Sequence, residues 1–229
     1  MLTLLHIETS TEVCSVALSE ETTILSAICS NKGNSHTENL FPFIEHVLSE
    51  GNCSIAELTG VVLSIGPGSY TGLRIGASAA KGISYALGIP LIGISTLQSI
   101  VFGAISQQQE EHKLFCPMID ARRMEVFSAL YNAKGASITE VTNKIIDEYA
   151  FRKELENNII CFCGNGIAKC HTVLQHPNAR FINTSIAAAN MLTPALVKFE
   201  NKQFENVAYF EPFYFKEYVA KKSTVKGLN

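Results

Sequence analysis

The sequence predicts an α/β protein of two similar lobes, each a mixed sheet with helices on its faces. Three observations carry this. Short apolar runs of strand length alternate with stretches of helix length along the chain. A polar run, Ser106–Lys113, interrupts the pattern, and beyond it the order three strands, helix, strand, helix begins again without obvious sequence identity. The chain has 229 residues, 47% hydrophobic and 17% charged, which suffices for one large core or two small ones. The expected lobes are residues 1–107 and 108–205, with part of the segment 206–229 docked on the first.

In the first half, Leu2–Glu8 is an apolar run and Val13–Ser19 alternates, so the hydroxyl-rich Thr9-Ser10-Thr11-Glu12 between them reads as a hairpin turn. Thr23–Ser30 fits a third strand. Asn34 or Ser35 then caps a helix in which Leu40, Ile44, Val47 and Leu48 share a face. A short helical turn at Ile55–Leu58 leads to a strand at Val61–Ile65, a helix at Thr71–Leu87, a strand at Leu91–Ile94 and a helix at Thr96–Ile105. In the second half, strands are expected at Leu114–Ile119, Glu125–Tyr131 and Thr139–Ile146, and a short helix near Asp147–Glu154. A buried strand at Ile159–Cys163 turns through Gly164-Asn165-Gly166 into a short helix, followed by a strand at Phe181–Ile182 and a helix at Ser185–Lys198.

Charge and composition exclude some functions. A formal charge of −3 and a pI near 6.1 leave no broad basic field for gripping nucleic acid unaided. Any RNA contact has to be local or supplied by a partner. Seven scattered cysteines without a C-x-x-C pair fit a reducing, cytoplasmic setting, and the start MLTLLHIETS has no basic n-region of an export signal. Gly82–Gln109 lacks charge and has the length of a membrane span, but Gly88, Pro90, Gly93 and Gly103 break it into helix, strand and helix. No membrane association is expected.

The stretch "GPGSYTGLRIG", Gly66–Gly76, follows a strand and opens a helix, where a phosphate-binding loop would sit. It lacks the Lys-Ser/Thr of a P-loop, since Leu73 follows Gly72. As a dinucleotide fingerprint its third glycine comes one residue late, and Pro67 removes an N–H. An anion site at the helix N-terminus stays open. Within the helix, Gly72, Gly76, Ala80, Ser84 and Gly88 recur every four residues, a small-residue ridge that suits the close approach of another backbone. Either the helix lies tightly on its own sheet, or the ridge receives a partner, with Leu73, Ile75, Ile83 and Leu87 adding apolar area.

The same stretch resembles the signature of the bacterial tRNA threonylcarbamoyladenosine biosynthesis family TsaB (YeaZ). "IETS" (Ile7–Ser10), "NSHTE" (Asn34–Glu38), "LGIPLIGISTL" (Leu87–Leu97), "MIDARRMEVFSALY" (Met118–Tyr131) and "EPFYFK" (Glu211–Lys216) resemble earlier and later blocks of that family in the same order. The resemblance is densest over residues 1–131 and poor over 135–205. It implies an actin-like (ASKHA) fold. It also implies a non-catalytic subunit that pairs with the paralogue TsaD, is joined by the ATPase TsaE, and helps place threonylcarbamoyl on adenosine 37 of ANN-decoding tRNAs. tRNA would be met only within that complex. The partner face it implies lies on the two helices of the first lobe, with Ser35, His36, Leu40, Ile44, Gly72, Leu73, Gly76, Ala80, Ile83, Ser84 and Leu87 as expected contacts. A homodimer through the same helices is expected when the partner is absent.

Other groups bear on chemistry. The catalytic paralogue carries two histidines one turn apart, but Leu40 stands four residues after His36, so no metal is expected there and His36 reads as a cap or surface residue. Glu8 and Asp120 stand at equivalent turns of the two halves, as hairpin-ordering residues or as a carboxylate pair of a small kinase or peptidase-like hydrolase. Thr9, Ser10, Thr11, Gly164, Asn165 and Gly166 leave room for weak ATP or ADP binding, with no cofactor expected. Cys161, Cys163 and Cys170 read as buried thiols, not zinc ligands.

Overall fold

The computed structural model describes residues 1–31, 36–107 and 114–215. Strand β1 (Thr3–Glu8) pairs antiparallel with β2 (Cys14–Glu20), and β2 with β3 (Thr23–Ser30). Helix α1 (His36–Glu50) follows, with the expected face of Leu40, Ile44, Val47 and Leu48 buried. A 3-10 turn at Ile55–Glu57 is held by a reciprocal cap between Ser54 and Glu57. Then come β4 (Gly60–Ser64), α2 (Tyr70–Leu87), β5 (Leu91–Ile94) and α3 (Thr96–Ser106), with β4 parallel to β1 and β5 parallel to β4. The parallel strands are apolar along their length because both faces are covered.

The second half repeats the plan with β6 (Leu114–Asp120), β7 (Glu125–Ser128), a short β8 (Tyr131–Asn132), β9 (Thr142–Ile145), α4 (Arg152–Asn157), β10 (Ile160–Cys163), α5 (Ile167–Cys170), β11 (Ala179–Ile182) and α6 (Leu192–Glu200). The first sheet runs β3-β2-β1-β4-β5 and the second β9-β7-β6-β10-β11, with β8 paired to β6. Both sheets therefore place an antiparallel three-strand meander beside two parallel crossover strands, in the same spatial order. The repeat expected from element order extends to strand pairing.

Four elements are shorter than their sequence pattern suggests. β7 stops at Ser128, and Tyr131 belongs to the separate β8, which pairs with β6. β9 starts at Thr142 because residues 137–139 fold back onto Leu130, whose N–H donates to Thr139 Oγ1 at 2.9 Å. The Asp147 carboxylate accepts from the Tyr149 N–H at 2.9 Å and holds a turn there, so α4 begins at Arg152. A 3-10 turn, Ala188–Met191, takes the start of the expected last helix, and Pro194 falls in the first turn of α6, where its missing N–H has no cost.

Packing does not follow the expected boundary at residue 107. α3 lies on β6 and β10, so Leu97, Ile100, Val101 and Ala104 share a core with Phe115, Ile119 and Phe127. In return, the 3-10 turn and α6 bring Ala188, Met191 and Ala195 into a core with Leu4, Val62 and Ile92. Each half thus lends its last helix to the other half's sheet. The segment after α6 returns to the first lobe: Glu205 bridges to Leu91, Phe210 enters the first core, and the Phe213 N–H donates to Ile65 O at 2.7 Å. The helix cap expected at Asn34 or Ser35, most of the polar run, and the lysines Lys221, Lys222 and Lys226 lie outside the described residues. Among the described residues, no helix is long and apolar enough to cross a membrane.

Candidate functional site

The loop Gly66–Gly72 leaves the carboxyl end of β4 and presses on the β1–β2 turn. The Ser69 N–H donates to Ser10 O at 2.6 Å, and Thr9 Oγ1 donates to Gly72 O at 2.8 Å. A Cβ at Gly68 would fall on Ser10 O, one at Gly72 on Thr9 O, and one at Gly76 on Thr9 Oγ1. Glycine is required at 68 and 72 because the two backbones touch, and at 76 because the Thr9 hydroxyl occupies the space. Thr9 and Ser10 are fully buried and Thr11 nearly so. This loop therefore grips the chain's own hairpin where a phosphate loop would hold an anion, and the hydroxyls expected to meet nucleotide are sealed beneath it.

The turn is fastened from below as well. Glu8 Oε1 accepts from the Ser10 N–H at 2.7 Å and from Ser64 Oγ at 2.9 Å. Burial pushes the Glu8 carboxyl above its ordinary range, while those bonds pull the other way. His36 is neither a cap nor a surface residue: it is buried, and its Nε2 lies 2.8 Å from Thr11 O, to which it donates. β1 also carries His6, whose pKa complete burial lowers to about 3 and whose Nε2 meets Ser19 Oγ at 2.8 Å.

The small-residue ridge faces inward. Gly72, Leu73, Gly76, Ala80, Ile83 and Ser84 are buried against the first sheet, and so are Leu40 and Ile44 of α1; Leu87 is half-buried. Of the two readings open in the sequence, the intramolecular one describes these residues. Of the residues named, Leu87 alone keeps part of its surface in solvent. Ser35 lies outside the described residues.

In the second lobe the loop after β10 does the same work. The Gly166 N–H donates to Met118 O at 2.9 Å, and Asn165 Oδ1 accepts from the Asp120 N–H at 3.0 Å. Gly164 has φ +93°, and a Cβ there would lie 2.6 Å from Met118 O. Asp120 is taken up by its own lobe: it binds Lys169 Nζ at 2.6 Å and the Arg122 N–H at 2.7 Å. Cys161, Cys163 and Cys170 are buried in the second lobe's cores and form no disulfide.

A family model described as TsaD, tRNA N6-adenosine threonylcarbamoyltransferase, matches residues 23–227. The TsaB protein of Buchnera aphidicola (subsp. Acyrthosiphon pisum) is 32% identical over 67% of this chain and 69% of its own. The chain belongs to the TsaB (YeaZ) family. The Haemophilus influenzae TsaB aligns over 99% of this chain and 90% of its own at 28% identity, whereas the match to the Bacillus subtilis protein spans 59% of that relative. The solved structure of YeaZ from Pseudomonas aeruginosa superposes with a TM-score of 0.82 at 24% identity, covering 94% of this chain and 100% of that one. The duplicated sheets with exchanged helices are accordingly the actin-like (ASKHA) fold.

On this TsaB-family chain, the outward face of α1 and α2 carries different residues from those the sequence pattern singled out. Ser78, Gly82 and Ala86 form a second row every four residues along α2, exposed on the side away from the sheet. Tyr85 on the same helix is 84% exposed, and on α1, which packs beside α2, Phe41 is 57% exposed. Nothing lies within 4 Å of where a Gly82 Cβ would be. The signal was in the sequence, since a helix with small residues at two phases has two close-packed faces, but the buried phase with its glycines dominated.

Proposed function

We propose that this chain is a non-catalytic subunit of the assembly that makes tRNA threonylcarbamoyladenosine, and that it binds a TsaD-type paralogue through the exposed faces of α1 and α2. The observation that carries the reading is the exposed Ser78–Gly82–Ala86 row flanked by Phe41 and Tyr85. Small residues on a helix let a second helix come close, and large aromatics beside them supply apolar area on contact. A TsaD-type protein would share this fold and could present an equivalent helix pair. In this reading the complex transfers threonylcarbamoyl to adenosine 37 of ANN-decoding tRNAs, a TsaE-type ATPase joins it, and the isolated chain forms a homodimer on the same face. The compartment is the cytoplasm.

The burial of Glu8 and the pairing of Asp120 with Lys169 support a role without catalysis by this chain, in preference to a kinase or hydrolase built on that carboxylate pair. Co-expression with the paralogue tests the reading. Gly82→Leu adds a bulky side chain on the outer face, where its Cβ would have nothing within 4 Å. It should weaken co-purification with the paralogue at least about tenfold, the loss expected when a close-packed interface is wedged apart, while the variant alone keeps its circular dichroism and melting temperature. Wild-type affinity for the paralogue would place the interface elsewhere.

A further inference from the structure

We propose that the Arg122–Arg123 turn of the second lobe contacts the phosphate backbone of RNA within the assembled complex, a reading that rests on the tRNA-modification role above. Arg122 and Arg123 have φ of 70° and 48°, both in the left-handed region. That region carries a steric cost for a long side chain, and glycine, asparagine or aspartate relieves it. Two consecutive arginines in a turn that would be more relaxed with other residues suggest that the side chains serve something besides the turn.

The backbone beneath them is fixed. The Ala121 N–H donates to Glu125 O at 3.0 Å and the Glu125 N–H to Arg122 O at 3.1 Å. Lys169 Nζ reaches Asp120 Oδ1 at 2.6 Å, Arg123 O at 2.8 Å and Glu125 O at 2.7 Å. Asp120 in turn accepts from the Arg122 N–H, and Asn165 holds the Asp120 N–H. Both arginines are exposed on this platform, and among the described residues neither guanidinium has a hydrogen bond or ion pair.

Charge points to the ligand. Asp120 on the turn is neutralised by Lys169, and Glu125, which keeps its charge, has its carboxylate held by Asn143 Nδ2 at 2.8 Å, which leaves a net positive turn. The tip therefore presents two guanidiniums on a chain whose formal net charge is −3. A planar guanidinium binds a phosphate in bidentate fashion, and two side by side suit successive phosphodiesters. The turn also lies at the carboxyl end of β6 beside the loop after β10, the end of parallel strands at which α/β sheets receive ligands. A chain without a broad basic field can contribute to RNA binding only through such a local contact.

The double variant Arg122→Asn, Arg123→Asn keeps the left-handed turn and removes both charges, and the double lysine variant keeps the charges. Three readouts decide: the melting temperature of the chain, its assembly with the TsaD-type paralogue, and the affinity of that complex for tRNA across a salt series. For the asparagine pair, a melting temperature raised by a few degrees is expected from relief of strain, with assembly unchanged. tRNA affinity should fall about tenfold and the log–log salt slope should drop by about one to two. The lysine pair should recover most of the slope. Unchanged tRNA affinity and slope would overturn the inference. Lost assembly would show that the arginines meet a protein carboxylate instead, and a lowered melting temperature would show that they hold the fold; either also overturns it. If the wild-type chain forms no complex with the paralogue, the proposed function fails first and this inference falls with it.

Discussion

The two lobes handle the same turn in opposite ways. In each, the first hairpin meets a glycine-containing loop that follows the strand parallel to its first strand, and one loop N–H bonds the hairpin backbone: Ser69 to Ser10 O, Gly166 to Met118 O. In the first lobe the loop runs straight into the long helix α2, which roofs the turn and buries Thr9 and Ser10 completely. In the second lobe only the four-residue α5 follows, and the turn tip with Arg122 and Arg123 stays in solvent. A duplicated scaffold whose two turns could flank a ligand has here been divided into one sealed turn and one displayed turn. The length of the next helix, and the residues at the turn, make the difference.

The sharpest way to break this comparison is to put a side chain where two backbones touch. Gly72→Ala would drive Cβ onto Thr9 O, and Gly76→Leu would meet Thr9 and Leu63. Thr9 O is backbone, and the Thr9 hydroxyl is fixed by its bond to Gly72 O, so each should cost about 3 kcal/mol and lower the yield of folded protein, measured by urea denaturation. Gly76→Leu is therefore no clean probe of partner binding, although the sequence ridge invites that use. In the second lobe, Gly166→Ala would place Cβ 2.9 Å from Met118 Cβ. The contact is less severe, and a cost of about 1–2 kcal/mol is expected. Equal losses at Gly72 and Gly166 would mean that the two loops are alike in weight.

Titration should separate the lobes next, because the strongly buried ionisable groups of β1 belong to the first. His6 has a folded pKa of about 3 against an ordinary 6.5. The unfolded chain takes up its proton first, so stability from neutral His6 is present above 6.5 and is lost as pH falls toward 3. At pH 5 the loss should reach about 2 kcal/mol, since each pH unit is worth about 1.4 kcal/mol. Glu8 works in the reverse sense: its folded value is raised, so its contribution is present below the ordinary 4.5 and is lost as pH rises through the folded value. Denaturant midpoints at pH 7.5 and 5.0 test this. His6→Gln should show a smaller drop between the two than wild type, and Glu8→Gln should gain stability at pH 7.5. An equal drop in wild type and His6→Gln would assign the acid sensitivity to other groups.

Much of this was legible in the residues. Periodicity gave α1 and its buried face, and the repeated element order anticipated two sheets that turn out to share one topology. What periodicity does not report is which sheet an amphipathic helix chooses. Leu97, Ile100, Val101 and Ala104 mark an apolar face equally well for either lobe, and only the tertiary fold sends α3 to the second sheet. The direction of the α2 ridge was ambiguous for a related reason: Gly72 and Gly76 state that something comes close, not whether it is Thr9 or another molecule. The turn Asp120-Ala121-Arg122-Arg123 was legible between its two strands, but its left-handed backbone was not, because an Arg-Arg pair carries no preference for positive φ.

The smallest expected effect is also the cleanest control on the two faces of α2. Gly82 sits mid-helix on the outer side with open space where a Cβ would stand, whereas Gly76, earlier in the same helix, is wedged against Thr9. A glycine in an exposed helix interior costs about 0.5–1 kcal/mol relative to alanine through backbone entropy. Gly82→Ala should therefore stabilise the isolated chain by about that amount. Its methyl group is small enough that binding of the paralogue should fall far less than with Gly82→Leu. A chain that keeps a destabilising glycine on a surface facing only solvent gains nothing from it, so the size of the binding loss on going from alanine to leucine measures how closely a second helix approaches. No difference between alanine and leucine in paralogue binding would leave Gly82 on an open surface and detach the α2 outer row from the interface.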